Sequence, residues 1–227
     1  MSSMRYLPIN LDIRGKPVII VGGGSVATRK CLALLSAGAR VTVIAPALTA
    51  SLSQCVQRGE VIHLPRNYAK GDLSGAFLVF AAANSRAVNR AVARAAKELG
   101  IPVDIADAPD TGDFVSPAYL SRGDLLITVS TGGRSPALAG RIRRELEDRY
   151  GPEYAMVLRL MGKVREKLLT EKRNSSYNKK ILSALVEQDL PELIKNGRAT
   201  DIDHLLLKLC GPGYSLAGLG MGDKDNE

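Results

Sequence analysis

Three groups of residues in this 227-residue chain have types and spacings that could do chemistry. The first is Gly22-Gly23-Gly24-Ser25-Val26-Ala27, the pattern G-x-G-x-x-A. In such a turn Gly22 allows the tight exit from a strand. Gly24 lacks a Cβ, so a pyrophosphate can approach the backbone, and Ala27 lets a helix pack close to a sheet. The second is Asp107, which precedes Ala108-Pro109. Proline restricts the residue before it and favours an extended entry, so this carboxylate is a candidate general base. Asp104 is expected on the same side of the same strand, where two close carboxylates favour a shared proton. The third is the loop Thr131-Gly132-Gly133-Arg134-Ser135, followed by a segment bearing Arg141, Arg143 and Arg144. Guanidinium groups fork carboxylates, so a solvated helix face and a site for an anionic ligand are both open readings here.

The rest of the inventory narrows the reaction type. His63 and His204 are the two histidines, and neither sits in a local Ser-His-Asp or Cys-His arrangement. Cys31, Cys55 and Cys210 are scattered, with neither a disulfide framework nor zinc-ligand spacing. What remains is redox chemistry on a dinucleotide with one carboxylate helper.

The glycine turn needs a strand before it and a helix after it, and both are legible. Val18 to Val21 reads as a buried strand, the next stretch as a helix stopped by Gly38, and Val41 to Ala45 as a second strand. One part of the NAD fingerprint is missing. The second strand ends Ile44-Ala45-Pro46-Ala47, with neither the acid that holds a ribose nor an Arg for a 2′-phosphate. The ribose then falls to backbone or hydroxyl groups, with Thr49 and Ser51 as candidates. Only the motif itself favours NAD over NADP.

Strands over 60–64, 76–82 and 103–106 alternate with helices over 49–58 and 86–99, and residues 4–13 read as a lead-in strand. That alternation predicts an α/β fold, a Rossmann-like doubly wound parallel sheet. Ligands of such sheets gather beyond the carboxyl ends of the strands. Three ends stand out: Gly22 to Val26, Ala81 to Asn84, and Asp107 to Pro109. Ala82, Ala83 and Asn84 are small enough for a flat ring or ribose to lie against them. A tightly packed strand end is the other reading.

Beyond Pro109 the pattern changes. Residues 114–120 lead to a turn at Arg122-Gly123-Asp124, and 125–130 read as a strand. A helix starts at Pro136, with Ser135 as its cap. Residues 153–209 read as four helices, and the Gly-rich stretch 211–227 as a disordered tail. The net charge of +8 is concentrated over residues 116–180. With no Trp, three Phe and no basic run interleaved with aromatics, nucleic acid is not an expected partner. No membrane span or signal peptide is visible, so the cytoplasm is the expected location.

Five segments carry a resemblance. They are LPINLDIRGKPVIIVGGGSVATRK, VTVIAP, FAAANSRAVN, IPVDIADAP and DFVSPAYLSRGDLLITVSTGGRSPALAGRIRRELE, in order over residues 7–147. Together they resemble the precorrin-2 dehydrogenase/sirohydrochlorin ferrochelatase family. The resemblance implies NAD as cofactor, precorrin-2 as substrate, sirohydrochlorin as product and, in some members, insertion of ferrous iron. It implies a homodimer that shares the segment around 114–150. The expected organisation is then a Rossmann domain over 1–113, a small α+β dimerisation segment over 114–150, a helical domain over 151–210 and the tail. The resemblance places the key acid at Asp107 and cofactor contacts at Ser25, Val26, Pro46 and Ala47. Gly22, Gly24, Ala82, Ala83 and Asn84 complete the expected cofactor set. Thr131, Arg134, Ser135, Arg141 and Arg144 form the expected substrate set. Asp104 departs from the family's usual Asn, and Asn84 from a frequent Asp. No methyltransferase segment follows, so uroporphyrinogen methylation is expected on another protein. A non-enzymatic NAD-sensing module is the alternative reading. It leaves the Thr131–Ser135 loop and the arginines unexplained.

Overall fold

The structure is a computed structural model that describes residues 5–171 and 175–222. The chain divides into two compact units. One holds the residues up to Ser116 together with Gly132–Arg134; the other holds Pro117–Thr131 and the chain from Ser135 onward.

In the first unit the order is β1 (Pro17–Val21), α1 (Ser25–Ser36), β2 (Arg40–Ile44), α2 (Ala50–Gln57), β3 (Val61–Leu64), β4 (Leu78–Ala81), α3 (Arg86–Glu98) and β5 (Val103–Ile105). The five strands form one parallel sheet in the order β3-β2-β1-β4-β5, the predicted doubly wound arrangement. Alternate side chains of each strand point to opposite faces. Val18 and Ile20 of β1 therefore join Ala27, Leu34, Val43 and Leu52 in one core. Ile19 and Val21 join Val79, Val92, Ala96 and Ile105 in the other. The chain leaves β1 towards β2 on one side and returns on the other as β4. A crevice opens at such a reversal of strand order, and it is where ligands of these sheets bind.

The lead-in over residues 5–13 forms no strand. Leu7, Ile9 and Leu11 are exposed, and Pro8 has no N–H to give a ladder.

In the second unit β6 (Ala118–Arg122) and β7 (Leu125–Val129) form an antiparallel hairpin. Gly123 takes φ +56° at the first position of its two-residue loop, the conformation such a turn needs. β6 was not foreseen from the sequence, which read only as an approach to this turn. The helices are α4 (Pro136–Arg149), α5 (Glu153–Glu171), α6 (Ser175–Val186), α7 (Leu190–Lys195) and α8 (Ala199–Cys210). Leu160, Val164, Leu168, Leu185, Leu190 and Leu206 centre their core.

The expectation of a disordered tail is corrected over 211–222. Tyr214, Leu219 and Met221 are buried in this same core, so the stretch holds enough apolar anchors to order its glycines. Residues 223–227 lie outside the described residues. Among the described residues, no helix is long and apolar enough to cross a membrane.

Candidate functional site

β1 ends where Gly22 turns at φ +127°, and its N–H donates to the Ile44 carbonyl at 2.9 Å. A Cβ on Gly22 would stand 2.2 Å from the Ala82 carbonyl oxygen, so the turn also lets the ends of β1 and β4 touch. A Cβ on Gly23 would stand 2.0 Å from the Ala47 oxygen. The middle glycine is thus required by packing, which the motif alone did not disclose. Gly24 differs, because a Cβ there would meet nothing closer than Asn84 Oδ1 at 4.0 Å. The space above Gly24 is open.

Gly24 is also the N-cap of α1, and no side chain caps that helix. α2 and α3 are capped by Thr49 and Ser85. The first turn of α1 therefore presents N–H groups and the positive end of the helix dipole to the opening, with no acid nearby in the turn. Ala27 is fully buried beneath it. A bare glycine cradle beside an uncapped helix start fits the pyrophosphate of a dinucleotide.

Around this opening lies a cleft of about 290 Å³. Its walls are Gly24, Ser25 and Val26 from the first turn, Ala82, Ala83 and Asn84 after β4, Arg86 of α3, and Ala106 and Asp107 after β5. Most of the residues expected to hold the cofactor, and the expected base, thus meet at one place. Pro46 and Ala47 are exposed at the end of β2 and do not line the cleft. Of the proposed ribose ligands, Thr49 is already engaged. Its hydroxyl accepts from the Leu52 N–H at 3.3 Å and lies 2.8 Å from Thr28 Oγ1. Ser51 is exposed.

The Asp107 side chain is 29% exposed. Its Oδ1 accepts a hydrogen bond from Asn89 Nδ2 at 2.8 Å, and its Oδ2 lies 3.7 Å from Arg86 Nε. Asn89 is 1% exposed. Its Oδ1 accepts from the Ala83 N–H at 3.0 Å, and its Nδ2 donates to the Ala83 carbonyl at 3.0 Å.

Asp104 is not Asp107's partner, as the sequence reading had it. An odd offset of three along a strand turns the side chain to the other face of the sheet. There Asp104 Oδ2 pairs with Lys30 Nζ at 2.6 Å and accepts from Ser116 Oγ at 2.9 Å, beneath the α1 side of the sheet. Lys30 also sits over the Phe80 ring, 4.9 Å from its centre.

Arg86 and Asn89 escaped the sequence reading, although each left a signal. Asn89 falls on the buried stripe Asn89-Val92-Ala96 of α3, a polar residue at an apolar position. Arg86 is a cation in the first turn of a helix, where the dipole disfavours it. His63 is structural, with Nε2 2.9 Å from the Ala45 oxygen, and His204 is exposed on α8.

The substrate candidates other than Arg134 belong to the second unit. Thr131 Oγ1 accepts from the Ser135 N–H at 3.1 Å, and Ser135 Oγ accepts from the Leu138 N–H at 3.3 Å. Both hydroxyls thus help to start α4. Arg141 pairs with Glu145 at 2.9 Å, and Arg143 pairs with Glu147. Arg134 and Arg144 are exposed.

Sheet order and cleft together define a dinucleotide-binding protein of the Rossmann class. A family model described as NAD(P)-binding matches residues 9–118, and one described as sirohaem biosynthesis protein central matches residues 122–149. Siroheme synthase of Methylococcus capsulatus is 38% identical over 232 residues, covering 98% of this chain and 49% of the relative. Siroheme synthase of Stutzerimonas stutzeri is 34% identical over 230 residues, with the same coverage of 98% and 49%. Among solved structures, the one titled SirC, precorrin-2 dehydrogenase, superposes with a TM-score of 0.72 at 26% identity. That match covers 90% of this chain and 98% of the other. The chain is thus similar over nearly its whole length to these proteins of siroheme biosynthesis. It spans about half the length of the curated relatives it matches.

Proposed function

We propose that the chain oxidises precorrin-2 to sirohydrochlorin with NAD as the acceptor. The observation that carries this reading is the placement of Asp107 in the same cleft as the Gly24 cradle and the uncapped start of α1. Two hydrogens must leave the macrocycle, one with the electron pair and one as a proton. Bound NAD supplies the hydride acceptor. Asp107 takes the proton on Oδ2, the oxygen that Asn89 leaves free. Ala82 and Ala83 offer a flat wall with no competing polar side chain. Arg86 keeps a positive charge 3.7 Å from the carboxylate oxygen Oδ2. Arg134, exposed in the first unit, is a cation available to the carboxylates of the substrate.

Three further statements are part of the same proposal. Ferrous iron is a second substrate, because chelation asks only for a base to strip pyrrole N–H protons, and Asp107 is one. Among the described residues no group of three His, Cys, Asp or Glu gathers as a metal site, so no protein cage is assigned to the iron. The working form is a homodimer. The β6–β7 hairpin supports this: α4 packs against it, yet Tyr119 and Leu126 stay exposed, apolar surface that a second copy would cover. The protein works in the cytoplasm.

Purified protein given precorrin-2 and NAD should develop sirohydrochlorin absorbance together with NADH. Asp107→Ala should lower kcat about 100-fold or more, the usual scale of a lost acid–base group, and leave NAD affinity within about twofold. A variant with full activity removes the base assignment. A protein that binds NAD and ignores both tetrapyrroles is the sensing module instead.

A further inference from the structure

We propose that Asn89 is the positioning residue of the reaction: it commits Asp107 Oδ1 as a hydrogen-bond acceptor and so assigns the proton to Oδ2. The proposal rests on the dehydrogenation proposed above and adds the device that orients its base.

Asn89 has no rotational choice. Both hydrogens of Nδ2 are spent, one on the Ala83 carbonyl at 3.0 Å and one on Asp107 Oδ1 at 2.8 Å. Its Oδ1 accepts the Ala83 N–H at 3.0 Å. A flipped amide would set oxygen against the Ala83 oxygen and against the carboxylate, and would leave the Ala83 N–H facing an NH2 group. At 1% exposure, water cannot repair those losses. The amide therefore locks the end of β4 to the carboxylate that follows β5, from one side chain on α3.

The chemical consequence follows from the inventory of donors. An oxygen already accepting a buried N–H is a poorer proton acceptor than its twin. Asp107 lines the cleft, and its Oδ2 has Arg86 Nε at 3.7 Å, beyond hydrogen-bond distance. When the substrate C–H bond breaks, its electron pair stays with the macrocycle and the proton goes to Oδ2. The Asn89 bond to Oδ1 persists through the step. The charged groups around Asp107 are few. Arg86 comes from α3. Asp110 and Asp113 follow in the chain, Asp110 paired with Arg5 and Asp113 accepting the Val103 N–H at 3.0 Å. Asp104 is held away by Lys30.

Asn89→Asp tests the proposal. It places a second carboxylate against Oδ1, so the pair should share a proton. The Asp107 carboxyl, followed by carbon NMR in Asp-labelled protein and assigned with Asp107→Asn, should titrate about one pH unit or more higher. The acidic limb of kcat/KM should rise with it, while NAD affinity stays within about twofold. An unmoved limb together with unmoved titration overturns the proposal, because a merely structural amide would scale activity equally at every pH. The wild type offers a measurement that needs no folded variant. There the Asn89 side-chain amide signal should follow the titration of Asp107, and an amide signal indifferent to it also overturns the assignment. A wild type that makes no sirohydrochlorin, yet whose amide follows Asp107, sinks the proposed reaction and leaves the positioning role standing.

Discussion

Gly22 and Gly24 sit two residues apart in one motif and answer to different forces. Gly22 holds φ +127°, and a Cβ there would press to 2.2 Å against the Ala82 oxygen. Gly24 holds φ −84°, which any residue can adopt, and its missing Cβ leaves the cradle open. Gly22→Ala should therefore destabilise the first unit, by about 2–3 kcal/mol from backbone strain with the clash added. Gly24→Ala should cost about 1 kcal/mol or less, the N-cap difference, and still weaken NAD binding at least about tenfold. Denaturation and NAD titration of the two variants check this. Equal loss of stability in both would refute the division of labour. The same residues mark how much of the site was legible. The places of Gly22, Gly24, Ala27 and Asp107 are visible because they follow from neighbours in sequence. The demand on Gly23 comes from Ala47, the use of Asn89 from Asp107, and the partner of Asp104 from Lys30, 74 positions away. Such partners exist only once the sheet has brought the segments together.

Elements pair in ways that single residues enforce. Lys30 reaches from α1 to Asp104 on β5, with side-chain exposures of 15% and 5%, and Ser116 bonds to the same oxygen. The ion pair thus joins a helix, a strand and the segment by which the chain leaves the first unit. Lys30→Met would leave a buried carboxylate without its cation, which costs about 3–5 kcal/mol. Adding Asp104→Asn should recover a good part of that loss, because the pair rather than either charge is what the site tolerates. Urea unfolding of the two single variants and the double variant measures the coupling, and strictly additive losses would show that the pair contributes nothing. Strands of the parallel sheet were readable as short apolar runs because both their faces are covered. β6 was not, since it carries exposed Tyr119 and Ser121 on one face and, among the described residues, its strand partner is β7 alone. The opposite error befell residues 5–13, where Leu7, Ile9 and Leu11 alternate like a strand but no neighbour takes up their backbone.

At the scale of the whole molecule, two units carry separate cores, and the chain after α8 belongs to the second. Its glycines turn the backbone, with φ +99° at Gly211 and +87° at Gly213. Lys167 Nζ donates to the Gly213 oxygen at 2.6 Å and the Leu216 N–H to Asp203 Oδ1 at 2.6 Å. Composition counts the glycines and misses these anchors, which is why the stretch read as a tail. Tyr214 is 2% exposed, and its hydroxyl donates to Glu171 Oε2 at 2.9 Å. Burial, and then the bond to the Glu171 carboxylate, push its phenol well above the ordinary range. An unfolded chain releases that proton near about pH 10, while the folded chain keeps it. The resulting stability is complete below about pH 10 and is lost as pH climbs towards the raised folded value, since there the unfolded state alone sheds the proton. Thermal unfolding of the helical unit should therefore move to lower temperature between about pH 10 and about pH 12. Tyr214→Phe should start from a lower Tm, having lost the bond to Glu171, and fall less steeply over that window. A variant whose Tm falls as steeply as that of the wild type would place the alkaline sensitivity elsewhere, with Tyr68 of the first unit, also raised by burial, as the group to examine next.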